Sequence, residues 1–193
     1  TVQIIKNKGV LWKRLAQKFR TVAKCPNEWC WVDADFLNDL NDDEIKSNTF
    51  RPKMPFTWKK NSKLWLNTLD IGAVLHQYHQ KYPDFEFIGP VPLDFDTKAP
   101  GSGRCVVEEL CKLNIEKLVR SGKNRMGVVF NFDPHTKQGS HWVAMFADFR
   151  SGGIYYFDSY GYKPKPEIAE LLKRIHSQGN QMIYKQGVAG LQK

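Results

Sequence analysis

Three short apolar runs follow one another in the second half of the chain, and together they call for a sheet. Met126–Asn131 (MGVVFN) has the length and character of a buried strand. Trp142–Phe149 (WVAMFADF) is apolar on both faces, as a central strand is. Gly153–Asp158 (GIYYFD) is rich in β-formers. Elsewhere the period is helical. Leu11, Leu15 and Phe19 recur four apart within residues 10–20. Leu69, Ile71, Val74, Leu75, Tyr78 and Tyr82 form the apolar side of a helix that Asn67 or Thr68 caps and Pro83 closes. Val106, Val107, Leu110, Cys111, Ile115, Leu118 and Val119 predict one long helix near 104–121, stopped by Gly122. Pro164 and Pro166 suit the entry of a helix over 164–178, with Ile168, Leu171, Leu172 and Ile175 as its stripe and Gly179 as its end. Phe85–Ile88 and Gln181–Lys185 are further short strands, and Gly89-Pro90-Val91-Pro92 reads as a rigid turn. Helices come first, then strands, then a helix and a strand, which is an α+β layout.

The chain has 193 residues, enough for one domain and a small extension. Residues 1–60 read as an N-terminal helical and irregular arm, and 61–193 as the core. Within the arm, 25–62 is rich in Pro, Asn, Asp and aromatics. Asp33–Leu40 is its best helix, and Pro52 and Pro55 break the stretch after it. There are no repeats. The chain starts at Thr1 without Met and stops at Leu191-Gln192-Lys193, so a fragment is the expectation.

Composition excludes several classes. Hydrophobic residues are 41% and aromatics 13%, too many for a disordered chain. No run is long and apolar enough for a membrane span, and no apolar stretch follows the first lysines as a secretory signal requires. Cysteines at 25, 30, 105 and 111 lack the two-residue gap of a zinc hook, and Cys25 and Cys30 meet His76 and His79 only if the fold brings them together. Buried free thiols in a reducing, intracellular compartment are the expectation, with no metal and no cofactor. Lys+Arg 29 against Asp+Glu 20 gives +9, which draws a chain to phosphate backbones or simply keeps it soluble. The mild basic cluster at Lys6–Lys24 is a nucleic-acid contact or the wet face of a helix.

His141 and Asp158 carry the candidate chemistry. A carboxylate that orients an imidazole, which in turn takes the proton of a thiol or hydroxyl, is the working half of a nucleophilic triad. A hairpin that put the two directly opposite would turn between Phe149 and Arg150; Gly152-Gly153 suggests a later turn, with the pair offset by a few residues. Cys105, after Gly101-Ser102-Gly103-Arg104, is a candidate nucleophile at the head of a helix, where a thiol pKa falls and N–H groups stand ready for an oxyanion.

Gly139-Ser140-His141-Trp142, an apolar strand, and then Tyr155-Tyr156-Phe157-Asp158-Ser159-Tyr160-Gly161 resemble the His-Trp … Phe-Asp-Ser block of the Ulp/adenain-type cysteine proteases. Trp65-Leu66-Asn67 at a helix head is similar to a segment bordering that family's substrate cleft. Gly127–Asn131 with Asp133-Pro134-His135 looks most like its large-DNA-virus branch. The resemblance covers roughly residues 60–180. It implies a papain-type fold with a central mixed sheet flanked by helices. It also implies a cysteine endopeptidase of viral maturation type, cutting structural precursors after small, Gly-Gly-like residues. His141 would be the general base, Asp158 its orienting acid, Trp142 a shield beside them, and Trp65 a wall of the tunnel for the Gly-Gly segment. The structural alternatives are a core anchor for Trp142 and a hydrophobic staple for Trp65. In the family the nucleophilic cysteine follows the acid, but no cysteine follows Cys111 here. Gln192 matches the oxyanion-hole glutamine that precedes that cysteine; Gln181 and Gln186 are competing matches. On this reading Cys105 is a core or loop thiol. The resemblance leaves two other functions open, an inactive protease-like virion or binding protein and a SUMO or ubiquitin-like deconjugase. The partners implied are a protein substrate and, from the charge, non-specific nucleic acid; the location implied is the host cytoplasm, its viral factory, and the virion.

Overall fold

The computed structural model describes residues 7–22, 24, 52–61, 63–179 and 183–186. Contacts divide the chain into two units, Thr1–Phe56 and Thr57–Lys193. In the first, Lys8–Val22 is helix α1. Phe56–Lys60, α2, is a short helix directly after Pro52 and Pro55, where sequence pattern suggested only a break.

The second unit is built on a five-stranded mixed sheet in the order β1-β2-β3-β4-β5: Phe85–Val91, Arg125–Asn131, Trp142–Asp148, Gly153–Phe157 and Ile183–Gln186. The central three strands are antiparallel neighbours joined by short connections, and each outer strand runs parallel to its neighbour. Parallel neighbours need crossovers. Between β1 and β2 the chain passes through α4 (Glu108–Cys111) and α5 (Ile115–Arg120); between β4 and β5 it passes through α6 (Pro166–Gln178). Helix α3 (Thr68–Lys81) precedes β1 and packs on it.

One face of the sheet makes the core. Met126, Val128 and Phe130 of β2, Val143, Met145 and Ala147 of β3, and Ile154 and Tyr156 of β4 alternate inward. They meet Ile168, Leu171, Leu172 and Ile175, one stripe of α6, with Phe95, Leu110 and Ile115 closing the cluster. β3 is central but apolar-buried on this face only; Phe146, Tyr155 and Phe157 on the other face are exposed. α3 starts with a reciprocal capping box, Asp70 N–H donating to Asn67 Oδ1 (2.9 Å) and Asn67 N–H to the Asp70 carboxylate (3.3 Å). Leu69 does not join its apolar side. It stands two residues, about 200°, from buried Ile71, and is 81% exposed.

Two expected elements take another form. The helix expected over 104–121 is two helices, because the Asn114 side chain accepts from Lys117 N–H (2.8 Å) and starts a new one at Ile115. The turn expected at 89–92 is strand: β1 continues through Gly89-Pro90 to Val91, with a register shift between Ile88 and Val91. The helix expected at Asp33–Leu40 lies outside the described residues. At its N-terminal end β2 is pinned to β1. Asp84 receives Arg125 Nε (3.1 Å), with Arg125 Nη2 on its other oxygen and Arg150 Nη2 at 3.5 Å. The hydrogen bond from Arg125 and the positive charge beside it hold the Asp84 carboxyl below the ordinary range, against a partial burial that works the other way. Burial also resists ionisation of Asp148, but N–H donors from Ser151 and Arg150 outweigh it and lower its pKa.

Candidate active site

Three strand ends meet at the opposite end of the sheet. Asn131, the last residue of β2, pairs with Trp142, the first of β3, and Phe157 ends β4 beside Ala144. His141 precedes β3 by one residue and Asp158 follows β4 by one. The hairpin turns later than the midpoint between the two, as the glycine pair suggests. Ala144 faces Phe157 and Asp148 faces Gly153, which sets position 141 across from 160. The offset does not separate the pair: His141 Nε2 lies 2.7 Å from Asp158 Oδ1. Asp158 is 3% exposed and the only buried charged residue among those described. Its Oδ1 also accepts Tyr160 N–H (2.9 Å), and its own carbonyl takes Gly161 N–H (2.9 Å), so the turn after β4 locks the carboxylate.

This contact sets the tautomer. An ionised carboxylate only accepts, so the ring proton sits on Nε2 and Nδ1 is left with the lone pair. The ring is held between two aromatics, the Phe132 edge at 5.1 Å and Tyr160 at 4.7 Å. Phe132 N–H also donates to the His141 carbonyl (2.9 Å), and Lys165, at the head of α6, donates to the Phe132 carbonyl (2.8 Å) with its ammonium 4.4 Å from the Phe132 ring centre.

The loop that delivers His141 is tied at several points. Asn131 Oδ1 accepts Asp133 N–H (3.0 Å), and Ser140 Oγ donates to Asp133 Oδ2 (2.5 Å). His135 reaches Asp94 twice, through its N–H (2.8 Å) and through Nδ1 (2.6 Å), while Leu93 N–H donates to the Asp133 carbonyl (3.0 Å). Gly139 has φ 91°, and a Cβ there would strike the Asn131 amide. Asp133-Pro134-His135, read in sequence only as a mark of resemblance, is therefore loop scaffold. Phe132, Tyr160, Lys165 and Asp94 were not singled out; only their nearness to His141 and Asp158 in sequence, and for Asp94 not even that, marks them.

The tryptophans take distinct places. Trp142 is half-buried, outside the core cluster, and its Nε1–H donates to the Leu66 carbonyl (3.0 Å). It is thus a tie between the head of α3 and the strand beside His141, not a core anchor. Trp65, next to Leu66, is 80% exposed, so it does not act as a staple. The structure brings His141 and Asp158 together, and Trp142, next to His141 in the chain, ties the Leu66 backbone to the start of β3. Gln192, Gln181, Cys25 and Cys30 lie outside the described residues. Gln186 is in β5, paired with Tyr156.

Cys105 and Cys111 are not free thiols. They are joined as a disulfide with Cα atoms 6.2 Å apart. Cys105 also stands before the helix head and not on it: α4 begins at Glu108, and Cys105 N–H donates to Glu108 Oε1 (2.9 Å). A sulfur held in a disulfide is no thiolate, so the position does not serve as the nucleophile in this structure. Among the described residues no group of three His, Cys, Asp or Glu could hold a metal, and no helix is long and apolar enough to cross a membrane.

No family model matches the chain. A protein of Acanthamoeba polyphaga mimivirus, named for thiol protease activity, is 33% identical over 200 residues, covering all of this chain and 62% of its own length. The chain therefore spans less than two thirds of that relative. A protein of African swine fever virus named as a SUMO-1 cysteine protease is 38% identical over 64 residues, 32% of this chain and 23% of its own length. The crystal structure of the African swine fever virus protease superposes with a TM-score of 0.50 at 21% identity, over 94% of this chain and 73% of that one. The chain is thus homologous to proteins of two large DNA viruses that are named as thiol or cysteine proteases, and it shares the fold of the African swine fever virus protease.

Proposed function

We propose that the protein is a cysteine endopeptidase of viral maturation type, with His141 as general base and Asp158 as its orienting acid. The observation that carries this is the 2.7 Å contact of His141 Nε2 with a buried carboxylate. Asp158 fixes the ring so that Nδ1 faces the nucleophile's proton, and it stabilises the imidazolium formed when that proton arrives. The 193 residues hold no cysteine after Asp158; on this reading the nucleophile is a cysteine that would follow Lys193, and Gln192 ahead of it donates to the tetrahedral oxyanion. The thiolate attacks the scissile carbonyl, the imidazolium protonates the leaving amine, and water hydrolyses the thioester. Trp142 covers the pair, which strengthens its hydrogen bond by excluding water. Trp65, held at the cleft by its neighbour Leu66, closes over a Gly-Gly segment, where no Cβ obstructs an aromatic wall.

On this reading the substrates are structural precursors, and the protein works in the viral factory of the host cytoplasm and in the virion. The net charge of +9 supports non-specific attraction to packaged nucleic acid, which would concentrate enzyme and substrate. A second reading, removal of a ubiquitin-like modifier, is favoured by the name of the African swine fever virus relative. The test is a cleavage panel for the full-length protein. A Gly-Gly precursor sequence cut faster than any ubiquitin-like conjugate is the expected result. The reverse order of rates favours the deconjugase, and no cleavage of either, with an intact fold, favours a binding protein.

A further inference from the structure

We infer that Lys165 is a positioning residue for His141 and acts through Phe132; the inference rests on the reading of His141 as general base. Lysine is a poor residue where it stands. Lys165 is the N-cap of α6, its side chain makes no cap hydrogen bond, and a cation is disfavoured at the positive end of a helix. Its ammonium serves a strand end instead. Nζ donates to the Phe132 carbonyl (2.8 Å) and lies 4.4 Å from the centre of the Phe132 ring. Phe132 passes that grip on to the base. It follows β2 by one residue as His141 precedes β3 by one, and its N–H donates to the His141 carbonyl (2.9 Å), so the two extend the β2–β3 ladder. The Phe132 ring also meets the imidazole at 5.1 Å and 72°. Phe132 is thus held by His141 at its N–H and by Lys165 at its carbonyl.

The brace closes on the acid. Lys165 stands seven residues after Asp158, in the same connection between β4 and α6. Ile168, Leu171 and Ile175 fix α6 to the core, each fully buried. One connection therefore carries both the carboxylate that orients the imidazole and the cation that steadies the strand end delivering it. Without the ammonium, Phe132 is released on one side, and the imidazole can tilt on Asp158 away from the nucleophile's proton. Proton transfer depends on that alignment, whereas binding of a substrate elsewhere in the cleft does not.

The test compares the full-length parent with three variants. Lys165→Met keeps the stem and removes the donor. Lys165→Ser removes the donor and supplies the missing cap, so α6 stays folded. Lys165→Arg keeps a charged donor. The first readout is the ring-proton NMR signals of His141, identified by their loss in His141→Ala; they report the aromatic neighbours of the imidazole and need no substrate. The second is steady-state kinetics on a Gly-Gly precursor peptide. Displaced His141 signals in Lys165→Met and Lys165→Ser, restored in Lys165→Arg, are expected. With them kcat should fall roughly tenfold or more at little change in KM, and Lys165→Arg should recover most of the rate. If Lys165→Met fails to fold by circular dichroism, Lys165→Ser decides. The inference is overturned if the His141 signals of Lys165→Ser coincide with the parent's, or if its kcat does. A parent that cuts no peptide sinks the protease reading instead, and the NMR signals then decide the role of Lys165 alone.

Discussion

His141 and Asp158 meet at 2.7 Å although the strand register sets His141 opposite Tyr160. The two residues lie just outside β3 and β4, where the chain is no longer bound to the ladder. The turn after β4 swings the carboxylate back by two positions, and Tyr160 N–H holds it there. Tyr160 itself then takes the place beside the ring.

Replacing Asp158 by Asn keeps the shape and removes the acceptor that sets the tautomer. A fall of roughly 10³–10⁴-fold in kcat is expected, with KM little changed. Steady-state kinetics of the full-length protein on a precursor peptide measures it. Retention of most of the kcat would show that Asp158 is structural.

Gly139→Ala places a methyl group on the Asn131 amide at a backbone φ of 91°. The loop bearing His141 should lose its tie through Asp133. A stability loss of about 1–3 kcal/mol by urea unfolding is expected, with a fall in kcat larger than that loss explains.

Trp142→Phe keeps the ring and removes the donor to the Leu66 carbonyl. The expected cost is about 1 kcal/mol of stability, with a raised KM as the Trp65 segment loosens. Trp65→Ala, at an exposed position, should raise KM with no measurable change in unfolding.

Asp84 lies at the far end of the sheet, about 20 Å of strand from His141. Its folded pKa is lowered below 3.8 by Arg125, so its contribution is present at neutral pH and is lost as pH falls through the folded pKa. Asp84→Asn should cost about 1–3 kcal/mol at pH 7. The gap between parent and variant should close below about pH 4, as measured by chemical unfolding at several pH values.

The central strands were legible as short apolar runs rich in β-formers, though not the one-sided burial of β3, and α6 from the helical stripe of Ile168, Leu171, Leu172 and Ile175. A cap at Asn67 or Thr68 was legible from the side chains and the apolar period after them, and the structure selects Asn67. The division of 104–121 was not, since the apolar spacing runs on from Leu110 through Ile115 and only the Asn114 hydrogen bond shows the break. The course of β1 through Gly89-Pro90 was hidden because Pro and Gly ordinarily end strands. His141 and Asp158 were legible as a motif. The aromatic bracket of Phe132 and Tyr160 was not, because it depends on which way the turns fold. The Cys105–Cys111 link was missed because on a helix starting at 104 the two stand about 240° apart; α4 starts only at Glu108, which leaves Cys105 off the helix and free to reach Cys111.

The central claim is that His141, oriented by Asp158, activates a cysteine. The most direct measurement is intact-mass analysis of the full-length protein treated with a peptide electrophile ending in Gly-Gly, beside its His141→Ala and Asp158→Asn variants. One adduct on a cysteine after Asp158, formed rapidly by the parent, more slowly by Asp158→Asn and barely by His141→Ala, is the predicted result. Equal labelling of all three, or labelling confined to Cys105 or Cys111, would contradict it.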